Sequence, residues 1–152
     1  MKKYLIIGII LLAVVLVGIL GRFCDKNAVE GLSVAPAPTC DLSVEGIVGG
    51  INEVRSTALT TEPSLTSFAE SRVTTMKDSF SHDGFRESAK SLYNTYQWVG
   101  EDLSEGYCRN RDVINAWMNS PTHKEVMLNS RYETIGVAIS GHYVVANFGD
   151  LR

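Results

Sequence analysis

The sequence predicts a mixed α+β layered domain behind one hydrophobic N-terminal helix, and three observations predict it. Apolar residues recur at helical spacing through residues 44–54 and 65–76. Two β-branched runs, YETIGVAIS and YVVANFG, close the chain around Ser140-Gly141-His142 as a hairpin. Residues 4–21, YLIIGIILLAVVLVGILG, carry no charge at all. Between the first two features lie a further helical stretch, one strand and a broken helix, and this order is that of an α+β domain.

The apolar stretch reaches about 27 Å as a helix, close to the hydrocarbon thickness and longer than the usual signal-peptide core of about 7 to 15 residues. A transmembrane anchor is therefore favoured over a cleaved signal segment. Ala35-Pro36-Ala37 is followed by Pro38, a poor residue after a scissile bond, and Gly21-Arg22-Phe23 before Cys24 is too large and too charged for a lipidation box. Lys2 and Lys3 hold residues 1–3 in the cytoplasm and send the domain outside, against a weaker opposing bias from Arg22 and Lys26. Residues 22–40, with Pro-Ala-Pro and neither hydrophobic period, read as a flexible linker spanning at most roughly 50 Å from Cys24 to Cys40. The folded domain is expected over residues 41–152.

Its elements follow in order. Asp41 or Ser43 is the N-cap of a first helix whose buried face is Val44, Ile47, Val48, Ile51 and Val54; Gly46, Gly49 and Gly50 imply a close neighbour. A second helix begins at Glu62-Pro63 and buries Leu65, Phe68, Ala69, Val73 and Met76. FRESAKSLYN is a third, presenting Phe85, Ala89, Leu92 and Tyr93, and TYQWVGEDL alternates as a strand. Asp112 to Asn119 form a helix with Val113, Ala116 and Trp117 inward, with Trp98 also read as a core aromatic. Ser120 then caps a new helix with Pro121 at its first position.

Charge excludes one class of partner. Of 14 Lys and Arg, three lie in the first 22 residues, which leaves 11 against all 17 Asp and Glu. A domain this acidic is not a nucleic-acid binder.

Three ligand-type side chains draw attention. His123 falls in the first turn of the helix after Ser120, where the helix dipole disfavours imidazolium. His82 stands at the end of the second helix and Glu101 at the end of the strand. Two neutral imidazoles and a carboxylate at three element ends suit a divalent metal such as Zn²⁺. His142, in the hairpin turn, reads as a solvated side chain. Glu101 and Asp102, adjacent in a strand, are expected on opposite faces. Ser120 is an unattractive nucleophile because an N-cap hydroxyl is engaged by backbone N–H groups.

The series INEVR, FSHDGF, VGEDL, AWMNSPTHKEVML, YETIGVAI and YVVANFG resembles the bacterial branch of the CAP superfamily of cysteine-rich secretory proteins, antigen 5 and pathogenesis-related 1 proteins, whose module is also called the SCP domain. The resemblance covers roughly residues 43–149. It implies an α-β-α sandwich whose central cleft holds two His, matched by His82 and His123, and acidic residues, one of them matched by Glu101. Asp102 stands where the family usually has Asn. Ser120 lines the cleft where animal members have a second Glu, so the expected metal site is thinner by one carboxylate.

The reading favoured is a binding module displayed outside the membrane for a lipid, a glycan or a cell-wall component. A metal-assisted hydrolase of peptide or wall substrates and a structural surface protein are the alternatives. Three cysteines complete the expectations: Cys40 and Cys108, at edges of the domain, are expected to form a disulfide closing a loop of about 69 residues, worth about 4 kcal/mol. Cys24 is left free or pairs between chains.

Overall fold

The computed structural model describes residues 40–152. The expectations for residues 1–39, the anchor at 4–21 and Cys24 included, lie outside the described residues. Among the described residues no helix is long and apolar enough to cross a membrane. The elements in chain order are α1 (Val44–Val54), β1 (Thr60–Thr61), α2 (Pro63–Met76), α3 (Phe85–Ser88), β2 (Tyr96–Glu105), α4 (Asn110–Asn119), α5 (Pro121–Met127), β3 (Thr134–Ser140) and β4 (Tyr143–Leu151). The strands form one sheet in the order β1-β3-β4-β2, so β2 is an edge. β3 and β4 make the predicted hairpin, β2 runs antiparallel to β4, and the two-residue β1 pairs parallel with β3.

Alternation along β4 divides the core. Val144, Ala146 and Phe148 face a cluster with Ile47 and Ile51 of α1, Val113, Ile114 and Trp117 of α4 and Met127 of α5. Val145 faces the other way, against Ala69, Val73 and Met76 of α2. Helices therefore cover both faces of the sheet, giving the three layers that the resemblance implied. Each fully buried Ile, Leu or Phe in these clusters contributes about 1.5–3 kcal/mol of burial, so the two faces share the stabilisation.

Local chemistry fixes the helix starts. Ser43 caps α1 by accepting from the Gly46 N–H at 3.1 Å. Glu62 caps α2: its carboxylate accepts from Ser64 N–H at 2.7 Å, Leu65 N–H at 3.2 Å and the Tyr96 hydroxyl at 2.6 Å. The Tyr96 bond ties the start of α2 to the start of β2. The close approach expected of the α1 glycines occurs at Gly50, where a Cβ would meet Ile114 of α4 at 2.8 Å, and at Gly46, but Gly49 faces open space. A tighter contact was not foreseen: a Cβ on Gly136 of β3 would lie 2.1 Å from the Leu65 carbonyl carbon, so the backbone of α2 rests directly on the sheet.

Several expectations are corrected. The third helical stretch is one α-helical turn followed by a 3-10 turn at Ala89–Leu92, because no side chain caps its start at Gly84; Tyr93 is exposed. Val54, at the last turn of α1, is also exposed, as is Trp98. Ser120 occupies the N-cap position of α5 but its hydroxyl makes no cap; it lies 3.2 Å from the Thr122 hydroxyl instead. Glu101 is in the middle of β2, not at its end, because the strand continues through Glu105. His82 lies in the loop after α2, six residues beyond the last helical residue, Met76.

Candidate functional site at the edge of strand β2

The site begins with Arg72. It occupies a core-facing position of α2, between Ala69 and Met76, and is 5% exposed. A guanidinium there requires a partner, and Glu101 of β2 supplies it: Arg72 Nε donates to Oε2 at 2.7 Å and Nη2 to Oε1 at 2.8 Å, the two-pronged geometry that suits Arg and carboxylate. The remaining Arg72 N–H groups donate to the carbonyls of Asp83 at 3.1 Å and Ser81 at 3.3 Å. One buried side chain thus fixes both the carboxylate and the loop that carries His82.

His82 Nδ1 lies 3.0 Å from Glu101 Oε1, while half of its side chain, 52%, is open to solvent. The Arg-paired carboxylate only accepts, so Nδ1 donates and Nε2 is the unprotonated nitrogen of the neutral ring. Asn147 of β4, in register with Glu101, approaches Oε2 at 3.4 Å.

From the opposite helical layer comes His123, in the first turn of α5. The two imidazole centres are 6.3 Å apart. Burial, and next the proximity of His82, hold His123 below the ordinary imidazole range. The direction is the one expected from the sequence, although burial is the main cause where the helix dipole was invoked.

Each histidine lines one of two grooves. One, of about 940 Å³, is walled by His82, Phe85, Tyr93, Trp98, Glu101 and Tyr132. The other, of about 350 Å³, is walled by Phe80, Tyr107, Trp117, Ser120 and His123. Phe80, Tyr93, Trp98 and Tyr107 are exposed aromatic surfaces along this edge. The structure therefore brings His82, Glu101, His123 and Ser120 to one edge. Arg72 was missed by the sequence reading, and its signal was a charged residue in register with the apolar stripe of α2.

On the other face of β2 lies Asp102, as strand alternation requires. It is fully buried, and neither carboxylate oxygen has a hydrogen-bond partner among the described residues. Burial, with the Glu101 charge second, pushes it up to about 8.

Among the described residues, Cys40 and Cys108 are not joined by the expected disulfide. The two are nevertheless neighbours, with His142 Nδ1 3.7 Å from Cys40 Sγ and 3.2 Å from Cys108 Sγ. His142 is exposed as expected, but it is not solvated alone.

A three-layer α+β domain with paired imidazoles at a groove beside an edge strand defines a class, and comparison with known proteins agrees with it. The model of the cysteine-rich secretory protein family, CAP, matches residues 51–148. The chain belongs to that family. Among proteins of Bacillus subtilis (strain 168), it is 32% identical over 53 residues to the uncharacterized membrane protein YlbC, and 38% identical over 48 residues to the uncharacterized protein YkwD. Those matches cover 35% and 32% of this chain but only 15% and 19% of the two relatives. Among solved structures, an extracellular protein containing an SCP domain from Bacillus anthracis str. Ames superposes with a TM-score of 0.64 at 22% identity, covering 69% of this chain and 39% of that one. An outer surface protein from Borrelia burgdorferi gives 0.62 at 22% identity, covering 70% and 90%. At that identity the likeness is one of fold.

Proposed function

We propose that this chain is a surface-displayed CAP domain, held at the membrane by residues 4–21, whose edge grooves bind an extended glycan or cell-wall component beside a divalent ion. The observation that carries the reading is the pair His82 and His123, with ring centres 6.3 Å apart, each lining a groove with exposed aromatic walls. Aromatic faces beside polar ligands suit a partly polar, partly apolar polymer. The printed descriptions of the relatives as a membrane protein, an extracellular protein and an outer surface protein support display outside the cell.

The residues fit the ion. Two imidazoles sharing a tetrahedral zinc have ring centres about 5 Å apart, so 6.3 Å requires a closure of only about 1 Å. Glu101 serves best as the group that orients His82, since its oxygens already hold Arg72; carboxylate–histidine pairs of this kind fix the tautomer that ligates. The same engagement weighs against the hydrolase reading, because it leaves Glu101 no free role as a base.

Zinc titration of full-length protein lacking its three cysteines tests the site. One equivalent is expected at neutral pH, with loss in the His82→Ala, His123→Ala double variant. Uptake weakens as the solution is acidified, because both rings must be deprotonated to ligate the ion. Equal uptake by parent and variant would reject the ion. Sedimentation with purified cell-wall sacculi tests the groove: Trp98→Ala should weaken binding about 10-fold or more, and unchanged binding counts against it. Display is tested by fractionation, where recovery of the whole chain as a soluble secreted product rejects the anchor.

A further inference from the structure

We infer that Cys40, Cys108 and His142 form a second, independent metal centre, a two-thiolate, one-imidazole site for a soft divalent ion such as Zn²⁺. The three ligand atoms lie within 4.8 Å of one another. They come from three places far apart in sequence: the segment leading into α1, the loop between β2 and α4, and the β3–β4 turn.

The spacing is that of a shared ion. With Zn–S about 2.3 Å and Zn–N about 2.0–2.1 Å at tetrahedral angles, a sulfur and a nitrogen on one zinc are about 3.6 Å apart. The observed separations, 3.2 Å from Cys108 and 3.7 Å from Cys40 to the same His142 Nδ1, fall on either side of that value. His142 Nδ1 touches both sulfurs, an arrangement that a disulfide does not need and a common ion does.

The scaffold holding the three ligands is built from backbone hydrogen bonds. Asp41 N–H donates to the Cys108 carbonyl at 2.7 Å, and Asp41 and Arg109 form a parallel bridge, which sets Cys40 beside Cys108. Gly106 N–H donates to the His142 carbonyl at 3.1 Å, which sets the turn beside the same loop. Gly106 and Gly141 take positive φ, 87° and 61°, so both bends beside the ligands use a conformation that glycine adopts without strain.

Binding replaces two S–H bonds by two Zn–S bonds, releases two protons to solvent, and forms one bond to the neutral His142 nitrogen; water takes the fourth position. Two thiolates neutralise the ion, so the centre carries no net charge at an exposed edge. Thiolates give it a preference for softer ions that the His82–His123 pair lacks.

Cobalt is the probe, because thiolate-to-cobalt charge transfer absorbs in the near ultraviolet and imidazole ligation does not produce it. Full-length Cys24→Ser protein, purified in detergent with a non-thiol reductant, is titrated with Co²⁺. The charge-transfer absorption is expected to saturate at one equivalent, to be displaced by Zn²⁺, and to persist when His82→Ala and His123→Ala are added. Cys108→Ser abolishes it with the circular dichroism unchanged. His142→Ala, in an exposed turn, lowers affinity by at least the roughly 10- to 100-fold lost when a group merely orienting a ligand is removed. No such absorption in the reduced protein, its survival in Cys108→Ser, or peptide mapping that finds Cys40 bonded to Cys108 throughout protein isolated without reductant would each overturn the proposal.

Discussion

Glu101 and Asp102 are consecutive carboxylates in one strand, both buried, and the molecule treats them in opposite ways. Glu101 faces α2 and meets a two-pronged guanidinium, an imidazole and an amide. Asp102 faces the layer of α1, α4 and α5 and meets none among the described residues. The strand's two-residue period makes this possible, since neighbours see different layers of the protein. The pair teaches that burial alone does not decide the state of a buried acid; the chemistry of the facing layer does. Glu101 is paired with a guanidinium and organises a site, whereas Asp102 is pushed toward its neutral form.

The largest expected effect comes from breaking the satisfied side. Arg72→Ala leaves Glu101 as an uncompensated buried charge and frees the carbonyls of Ser81 and Asp83. It should cost about 3–5 kcal/mol in denaturant unfolding, and a loss below about 1 kcal/mol would mean that the ion pair does not organise this edge.

Repairing the unsatisfied side has the opposite sign. Asp102 has a folded-state value of about 8 against an ordinary 3.8. Between those values the folded chain holds a proton that the unfolded chain has released. Stability from this group is therefore fully present below about pH 4, falls as pH rises, and is lost above about pH 8. Asp102→Asn should stabilise the protein by about 2–3 kcal/mol at pH 9 and by less than about 1 kcal/mol at pH 5. A gain of the same size at both pH values would show that Asp102 does not titrate as its surroundings demand.

The smallest effect separates the two partners of Glu101. His82→Ala removes a half-exposed ring that touches the carboxylate from outside, and should cost about 0.5–1 kcal/mol. Stability equal to that of Arg72→Ala would abolish the order of importance assigned to them.

Much of this was legible in the sequence because local periodicity reports local structure. The stripes of α1 and α2, the Pro63 and Pro121 helix starts and the terminal hairpin all follow from neighbouring residues. The opposite facing of Glu101 and Asp102 followed from strand alternation alone. Other features depend on what lies across the fold. Thr60–Thr61 is too short to carry a period, and its identity as a strand rests entirely on β3. The missing Ser120 cap reflects where one hydroxyl turns. Arg72 was hidden because a polar residue in an apolar stripe reads as noise until its buried partner is known. Residues 40, 108 and 142 share no spacing that could announce their meeting.

The corner where the folded domain begins also has a mechanical meaning. Tension drawn through residue 40 meets, ahead of α1, one backbone bond among the described residues, from Asp41 to Cys108, rather than a ladder of bonds sharing the load. One bond pulled alone yields before many pulled together. A load applied at residue 40 therefore first strains the fold at this corner, beside the Tyr107 wall of the smaller groove.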